Sequence, residues 1–247
     1  VPPEIPGRPG FSFVSMGNYI FERETLEESV LSDNEIKDSS HDFGRDIIPS
    51  LYKKQKVMAY DFSTNVLPGG DRPYWKDVGS IKAYWEAQMD LLKHPSELSL
   101  FNQQWPIRTV SYSDPPGFTY PAADHSCSVD GCLRAEASRV LGAYVRKSVL
   151  SRNCVIKPGA VVEESIIGQN VEVGENCRLR RVIVDAHNII PPGTSIGFDP
   201  VEDAKNYHLD PSSGIVVLGM PKIQLRKKLI IPGSYEQLFR SPDETGF

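Results

Sequence analysis

The sequence predicts an α/β region followed by a left-handed parallel β-helix, and three observations carry that prediction. The first is a hexapeptide period: counted in sixes from Val149, the first position of each hexad is Val149, Val155, Val161, Ile167, Val173 and Leu179, aliphatic every time. The second is the fifth position, Asn153, Gly159, Ser165, Val171 and Cys177, which is mostly small. One inward aliphatic per short strand and a small residue at each corner make a triangular coil of about 18 residues, and such coils must stack because none buries its apolar face alone. The third lies upstream, where strand-like and helix-like stretches alternate over the first hundred residues.

Residues 12–21 (SFVSMGNYIF) are aromatic and β-branched and read as a strand. Residues 22–31 carry helix formers with Leu26 and Val30 spaced by four, and 32–40 read as a polar loop. A second helix is expected from Asp42, with Ile47, Ile48, Leu51 and Tyr52 on one face and Pro49 distorting its start. Residues 57–62 alternate and read as a short strand, before a turn at Pro68-Gly69-Gly70. Ile81, Tyr84, Trp85, Met89 and Leu92 follow the helical period, with Ser80 as the expected N-cap. Two or three strands are too few for the sheet that these helices would cover.

The expected domains are 1–100 for the α/β part, 101–121 for a proline-rich linker and 122–247 for the β-helix. Within the last, Asp185 and Pro191 break the hexad, Asp199-Pro200-Val201-Glu202 is a capping box, 214–220 is a final strand, and 241–247 is a tail.

Across 247 residues the chain has room for two cores. A net charge of -5 supplies no basic field for nucleic acid or anionic membranes, and no apolar run reaches the roughly 20 residues of a membrane span. Cys127, Cys132, Cys154 and Cys177 read as reduced thiols, which places the chain in the cytoplasm. The chain opens Val1-Pro2-Pro3 without Met and runs directly into a strand-like stretch, which reads as the middle of a domain.

Several residues could carry chemistry. His187 is the one histidine within the repeat and could serve as a general base, although such a histidine is more often a packing residue. His125, Cys127 and Cys132 match no trusted zinc spacing. Asp77, ahead of a helix, could hold Mg²⁺ against phosphates or could cap that helix. Ser15 and Asp42 are suited to bond sugar hydroxyls, or to purely structural roles.

Four segments together resemble the ADP-glucose pyrophosphorylase (glucose-1-phosphate adenylyltransferase) family of bacterial type: Ser15-Met16-Gly17-Asn18-Tyr19, Ser40-His41-Asp42-Phe43-Gly44-Arg45-Asp46, Tyr74-Trp75-Lys76-Asp77-Val78-Gly79 and Trp105-Pro106-Ile107-Arg108. The stretch 177–185 resembles the same family. The resemblance implies the C-terminal part of a glycosyltransferase-A-like, Rossmann-like nucleotidyltransferase domain joined to the β-helix, in a cytoplasmic homotetramer of glycogen synthesis. It implies that ATP and glucose 1-phosphate become ADP-glucose and pyrophosphate. Ser15, Tyr19, Asp42, Phe43 and Trp75 would line the glucose 1-phosphate pocket, and Asp77 would be one of two carboxylates holding Mg²⁺.

That resemblance also has gaps. The family's Gly-rich nucleotide loop, its catalytic arginine, the second metal aspartate and a Glu-Lys-Pro segment belong upstream of Val1, so this chain alone is expected to be inactive. Ala186 stands where enteric relatives have an effector-site arginine, while Lys222, Arg226, Lys227 and Lys228 form a basic cluster for a phosphorylated effector of unknown identity or a solvated surface. Two other readings stand beside this one: a non-catalytic regulatory or scaffold subunit, and a different sugar-nucleotide pyrophosphorylase such as one making GDP-mannose.

Overall fold

The structure, a computed structural model, describes residues 4–70, 72–122 and 125–221. The basic cluster at 222–228 and the tail at 241–247 lie outside the described residues.

From Phe118 onward the chain winds into a three-sided parallel solenoid. One face stacks Phe118–Tyr120, Arg139–Leu141, Val155–Ile156, Glu172–Val173 and Ile189–Ile190. The second stacks Ser128–Asp130, Tyr144–Arg146, Val161–Glu163, Arg178–Arg180 and Ser195–Ile196. The third runs from Leu133–Arg134 through Val149–Leu150, Ile166–Ile167 and Val182–Val184 to Val216–Leu218, which also pairs antiparallel with His208–Leu209. The rung Phe118–Tyr120 pairs with Arg139–Leu141, so the solenoid begins within the segment expected to be linker.

The register corrects the hexad count. Val149 pairs with Ile166 and Ile166 with Ile183, so from Val149 onward a coil takes seventeen residues, not eighteen, while Leu133 pairs with Val149 one shorter coil before. The fully inward aliphatics are Leu150, Ile156 and Val162, then Ile167, Val173 and Leu179, then Val184, Ile190 and Ile196. A strict six-residue count from Val149 is therefore one residue out of phase on the first three strands and in phase on the next three. It misses again at Asp185 and Pro191, where the chain itself keeps Val184 and Ile190 inside. The apparent breakdown of the repeat is one five-residue side per coil.

Two residues before the inward aliphatics from Val145 to Val184 lies a second inward position, filled by Ala143, Ser148, Cys154, Ala160, Ser165, Val171, Cys177 and Val182, all buried; before Ile190 and Ile196 it is taken by the half-buried Asn188 and Thr194. Asn153 and Gly159 occupy the corners instead, in the left-handed backbone region at φ 54° and 73°. Asn and Gly tolerate that region best. Ser138, Ser148 and Ser165 are polar residues inside; the hydroxyls of the last two each donate to a carbonyl of their own turn and accept from a main-chain N–H one coil on, Ser148 Oγ from Ser165 N and Ser165 Oγ from Val182 N, both at 3.1 Å. After the last coil, Asp199 caps the helix Pro200–Asn206 by accepting from Val201 and Glu202 N–H, while Glu202 bonds Lys205 and Asn206 rather than closing the box.

Among the described residues ahead of the solenoid lie three α-helices, α1 (Arg23–Asn34), α2 (Ile48–Leu51) and α3 (Ile81–Asp90). Helix α1 runs into the expected polar loop. A single π turn, Phe43–Ile47, precedes α2, with Ile47 N–H reaching back to Asp42 C=O at 3.2 Å, which is the distortion that Pro49 imposes. Ser80 caps α3, its Oγ accepting from Ala83 N–H. The strands expected at 12–21 and 57–62 are absent: both stretches are irregular apart from the start of a 3-10 turn, Phe62–Thr64. A strand exists only with a ladder partner, and among the described residues none is hydrogen-bonded to either stretch. Phe13, Val14, Ile20, Met58 and Tyr60 are correspondingly exposed.

The third solenoid face meets this region. Its outward row is Leu133, Val149, Ile166, Ile183 and Val217, apolar throughout, and Ile166 is only 5% exposed although it points away from the solenoid core. Trp85 of α3 reaches this corner, donating from Nε1 to Glu164 C=O at 2.8 Å.

Candidate functional site

The cavity that gathers the expected sugar-phosphate residues lies between the segment before α1 and the segment before α2. It measures about 790 Å³ and is lined by Ser15, Gly17, Asn18, Tyr19, Phe21, Leu26, His41, Asp42, Phe43 and Gly44. Its apolar wall is a cluster of three rings: Tyr19 and Phe43 stack at 5.9 Å between centroids, and Phe21 lies 5.7 Å from Phe43. Gly17 at φ 72° turns the chain so that Ser15 and Tyr19 meet, with Ser15 Oγ and Tyr19 OH 3.0 Å apart. Gly17 N–H also donates to Ser15 Oγ.

The opposite wall is polar and held from below. Asp42 Oδ1 accepts from Arg45 N–H at 2.8 Å, capping the π turn, and Oδ2 has no partner among the described residues. Asp46 accepts from Asp42 N–H at 3.2 Å and from the Ser40 hydroxyl, and that hydroxyl holds the Asp46 carboxyl below its ordinary range. His41 sits at φ 57°, its Nδ1 2.8 Å from Oδ2 of the buried Asp33, which also accepts from Ser39 Oγ. Asp33, at the end of α1, is the supporting residue that the sequence reading missed, because that stretch looked like a loop. His41 was in view only as part of a motif.

Ser15, Tyr19, Asp42 and Phe43 are thus brought together, whereas Trp75 and Asp77 are not among the cavity's lining residues. Trp75 is 43% exposed. Asp77 Oδ1 accepts from Gly79 N–H at 2.9 Å, closing a turn just ahead of the Ser80 cap, so Asp77 does not itself cap the helix. Among the described residues, no group of three or more His, Cys, Asp or Glu side chains gathers to hold a metal, at Asp77 or at His125, Cys127 and Cys132. Behind the Asp77 turn, Lys76 donates to Asp90 at 2.8 Å, and this bond raises the lysine's pKa. Burial pushes the Asp90 carboxyl up, but the ammonium groups of Lys76 and Lys93 outweigh it and hold the group below its ordinary value.

His187 closes a polar ladder at one solenoid corner: Asn153 Nδ2 donates to Asn170 Oδ1 at 2.8 Å, and Asn170 Nδ2 lies 3.4 Å from His187 Nδ1. No helix among the described residues is long and apolar enough to cross a membrane.

Residues 3–94 match the family model described as nucleotidyl transferase, and residues 114–218 match the one described as GlmU-like, C-terminal hexapeptide. The chain is similar to the glucose-1-phosphate adenylyltransferase of Photobacterium profundum, 43% identical over 218 residues, which is 88% of this chain and 54% of that protein. It is 46% identical over 216 residues to that of Aliivibrio fischeri strain MJ11, covering 87% and 53%, and 42% identical over 213 residues to that of Nitrosospira multiformis, covering 85% and 50%. The chain spans about half the length of the curated relatives it matches. Nucleotidyltransferases of this kind generally use a divalent metal.

Proposed function

Because the chain belongs to the glucose-1-phosphate adenylyltransferase family, we propose that it carries the sugar-phosphate side of the reaction of ATP with glucose 1-phosphate to give ADP-glucose and pyrophosphate, in glycogen synthesis. The observation that carries the reading is the cavity joining Ser15, Tyr19, Asp42 and Phe43. The ring cluster offers an apolar wall to a sugar face, while the Ser15 and Tyr19 hydroxyls and the Asp42 carboxylate offer acceptors to sugar hydroxyls. Fixed donors and acceptors of this kind orient the sugar phosphate for attack on the α-phosphorus of ATP. Trp75 belongs to the same proposal as a further wall.

Asp77 is proposed as one ligand of Mg²⁺, a cation that takes carboxylate oxygens. Among the described residues no group of three or more His, Cys, Asp or Glu side chains gathers there, which falls short of a metal site, so no catalytic step is assigned through the metal. No Gly-rich phosphate loop occurs in the 247 residues, and the chain by itself is expected to form no ADP-glucose. The same proposal takes residues 1–100 as the sugar-phosphate part, 101–121 as the connection and 122–247 as the solenoid part. It places a homotetramer in the cytoplasm, answering to a phosphorylated effector. The names of the relatives disfavour both a scaffold subunit and a GDP-mannose enzyme.

Saturation-transfer NMR of the 247-residue chain with glucose 1-phosphate tests the site. The expected result is transfer to the sugar protons, lost in Asp42→Asn and in Tyr19→Ala; transfer that is absent from the unaltered chain, or that survives both substitutions, overturns the assignment.

A further inference from the structure

Helix α3, which carries the Asp77 turn at its head, is tied to the solenoid through one indole. Glu164 and Arg181 occupy equivalent corners of successive coils, both in the left-handed region at φ 47° and 55°. The Glu164 carbonyl accepts the Trp85 Nε1 hydrogen at 2.8 Å, and the Arg181 guanidinium carbon lies 4.9 Å from the centroid of the Trp85 ring. The guanidinium is itself anchored, Nη2 donating at 3.2 Å to the carbonyl of Ser213, in a turn that Asp210 closes. Tryptophan suits this place because it joins an N–H donor to a broad π face, and arginine because its planar cation both stacks and donates. Nothing in the sugar-phosphate cavity uses either residue.

About one turn before Trp85, at the head of the same ten-residue helix, Ser80 Oγ caps Ala83 N–H and the Asp77 carboxylate holds Gly79 N–H. A helix transmits displacement along its length as a rod, since each turn is hydrogen-bonded to the next. Where Trp85 is held therefore decides where Asp77 sits.

We propose that Trp85 and Arg181 are positioning residues, which lock α3 and the Asp77 turn at its head onto one corner of the solenoid. The inference rests on the reading of Asp77 as a site residue, but its physical content is the lock.

The test is NMR of the amides of the 247-residue chain, reading two quantities: exchange at Tyr84, whose N–H bonds Ser80 C=O, and the chemical shift of Gly79, which reports the Asp77 turn. Trp85→Ala and Arg181→Ala are each expected to speed Tyr84 exchange about tenfold, the size of one buried contact, and to move the Gly79 resonance. The double variant is expected to fall well short of the hundredfold product, because both residues act through one contact. Trp85→Phe keeps the ring under the guanidinium and is expected to restore most of the Gly79 shift. Unchanged Tyr84 exchange, a Gly79 resonance that stays put, or a full hundredfold effect in the double variant overturns the lock. None of these readings depends on sugar-phosphate binding, so failure of the proposed function and failure of the lock are told apart.

Discussion

Two regions of one chain use similar residues to opposite effect. In the solenoid, every inward aliphatic from Val140 to Ile196 is buried under its neighbours in the coils before and after. Ahead of Phe118, the buried apolar side chains among the described residues are Ile47 and Leu51, while Phe11, Phe13, Ile20, Met58, Tyr60 and Phe101 stand in the open. Both regions contain alternating, strand-like sequence. The difference teaches that alternation is permission, and that a ladder partner makes the strand. Val149–Leu150 has one on each side, whereas residues 12–21 have none among the described residues.

The comparison can be broken most forcefully by placing a charge in each region. Leu179→Asp sets an unpaired carboxylate among Val162, Ile196 and their neighbours, and is expected to cost more than about 4 kcal/mol, seen as loss of the β circular dichroism signal at ambient temperature. Ile20→Asp changes a fully exposed side chain and should stay within about 0.5 kcal/mol in urea unfolding.

Backbone substitutions sharpen the same contrast at smaller scale. Gly197 lies at φ 86°, and an added Cβ would fall 1.9 Å from Arg180 C=O, so Gly197→Ala forces the last coil apart. It is expected to lower stability by about 3 kcal/mol or more. Gly17→Ala shares the left-handed strain but meets nothing within 4 Å, and about 1 kcal/mol is expected from thermal melts. A step lower, Ser165→Ala strips the partner from the buried Val182 N–H and should cost roughly 1–3 kcal/mol, while Ser15→Ala, at an exposed hydroxyl, should cost under about 1 kcal/mol.

Acid supplies the mildest test. Asp90 has a folded pKa below its unfolded value of about 3.9, so the stability it contributes is present above that value and is lost as pH falls through the folded pKa. Asp90 joins Lys76 and Lys93 behind α3, so as pH falls below about 3.9 tryptophan fluorescence should change before the β signal does. In the solenoid, burial raises the Cys154 thiol to about 11, so that group contributes stability at neutral pH and loses it as pH rises from about 8.5 towards 11. Cys154 should also resist thiol reagents at pH 8.

Much of the fold was legible because a repeat states its rule many times. Six aliphatic hexads revealed a solenoid, and only the seventeen-residue coil escaped, since one five-residue side per turn is invisible to a count in sixes. The caps at Ser80 and Asp199 and the distortion before Pro49 were local and could be read directly. The strands at 12–21 and 57–62 were misread because their fate depends on a partner that no local pattern specifies. For the site, Ser15, Tyr19, Asp42 and Phe43 share one cavity that Trp75 and Asp77 do not line, while Asp33 beneath His41 and the Trp85–Arg181 contact join residues that no motif links.

Urea unfolding followed by two probes tests the contrast between the regions most directly. Trp75, Trp85 and Trp105, the only tryptophans in the sequence, all precede the solenoid, so their fluorescence reports the first region while far-ultraviolet β ellipticity reports the second. The account predicts two transitions, with fluorescence complete at lower urea than ellipticity. A single coincident transition by both probes would mean that the first region shares the solenoid's stability, and would contradict it.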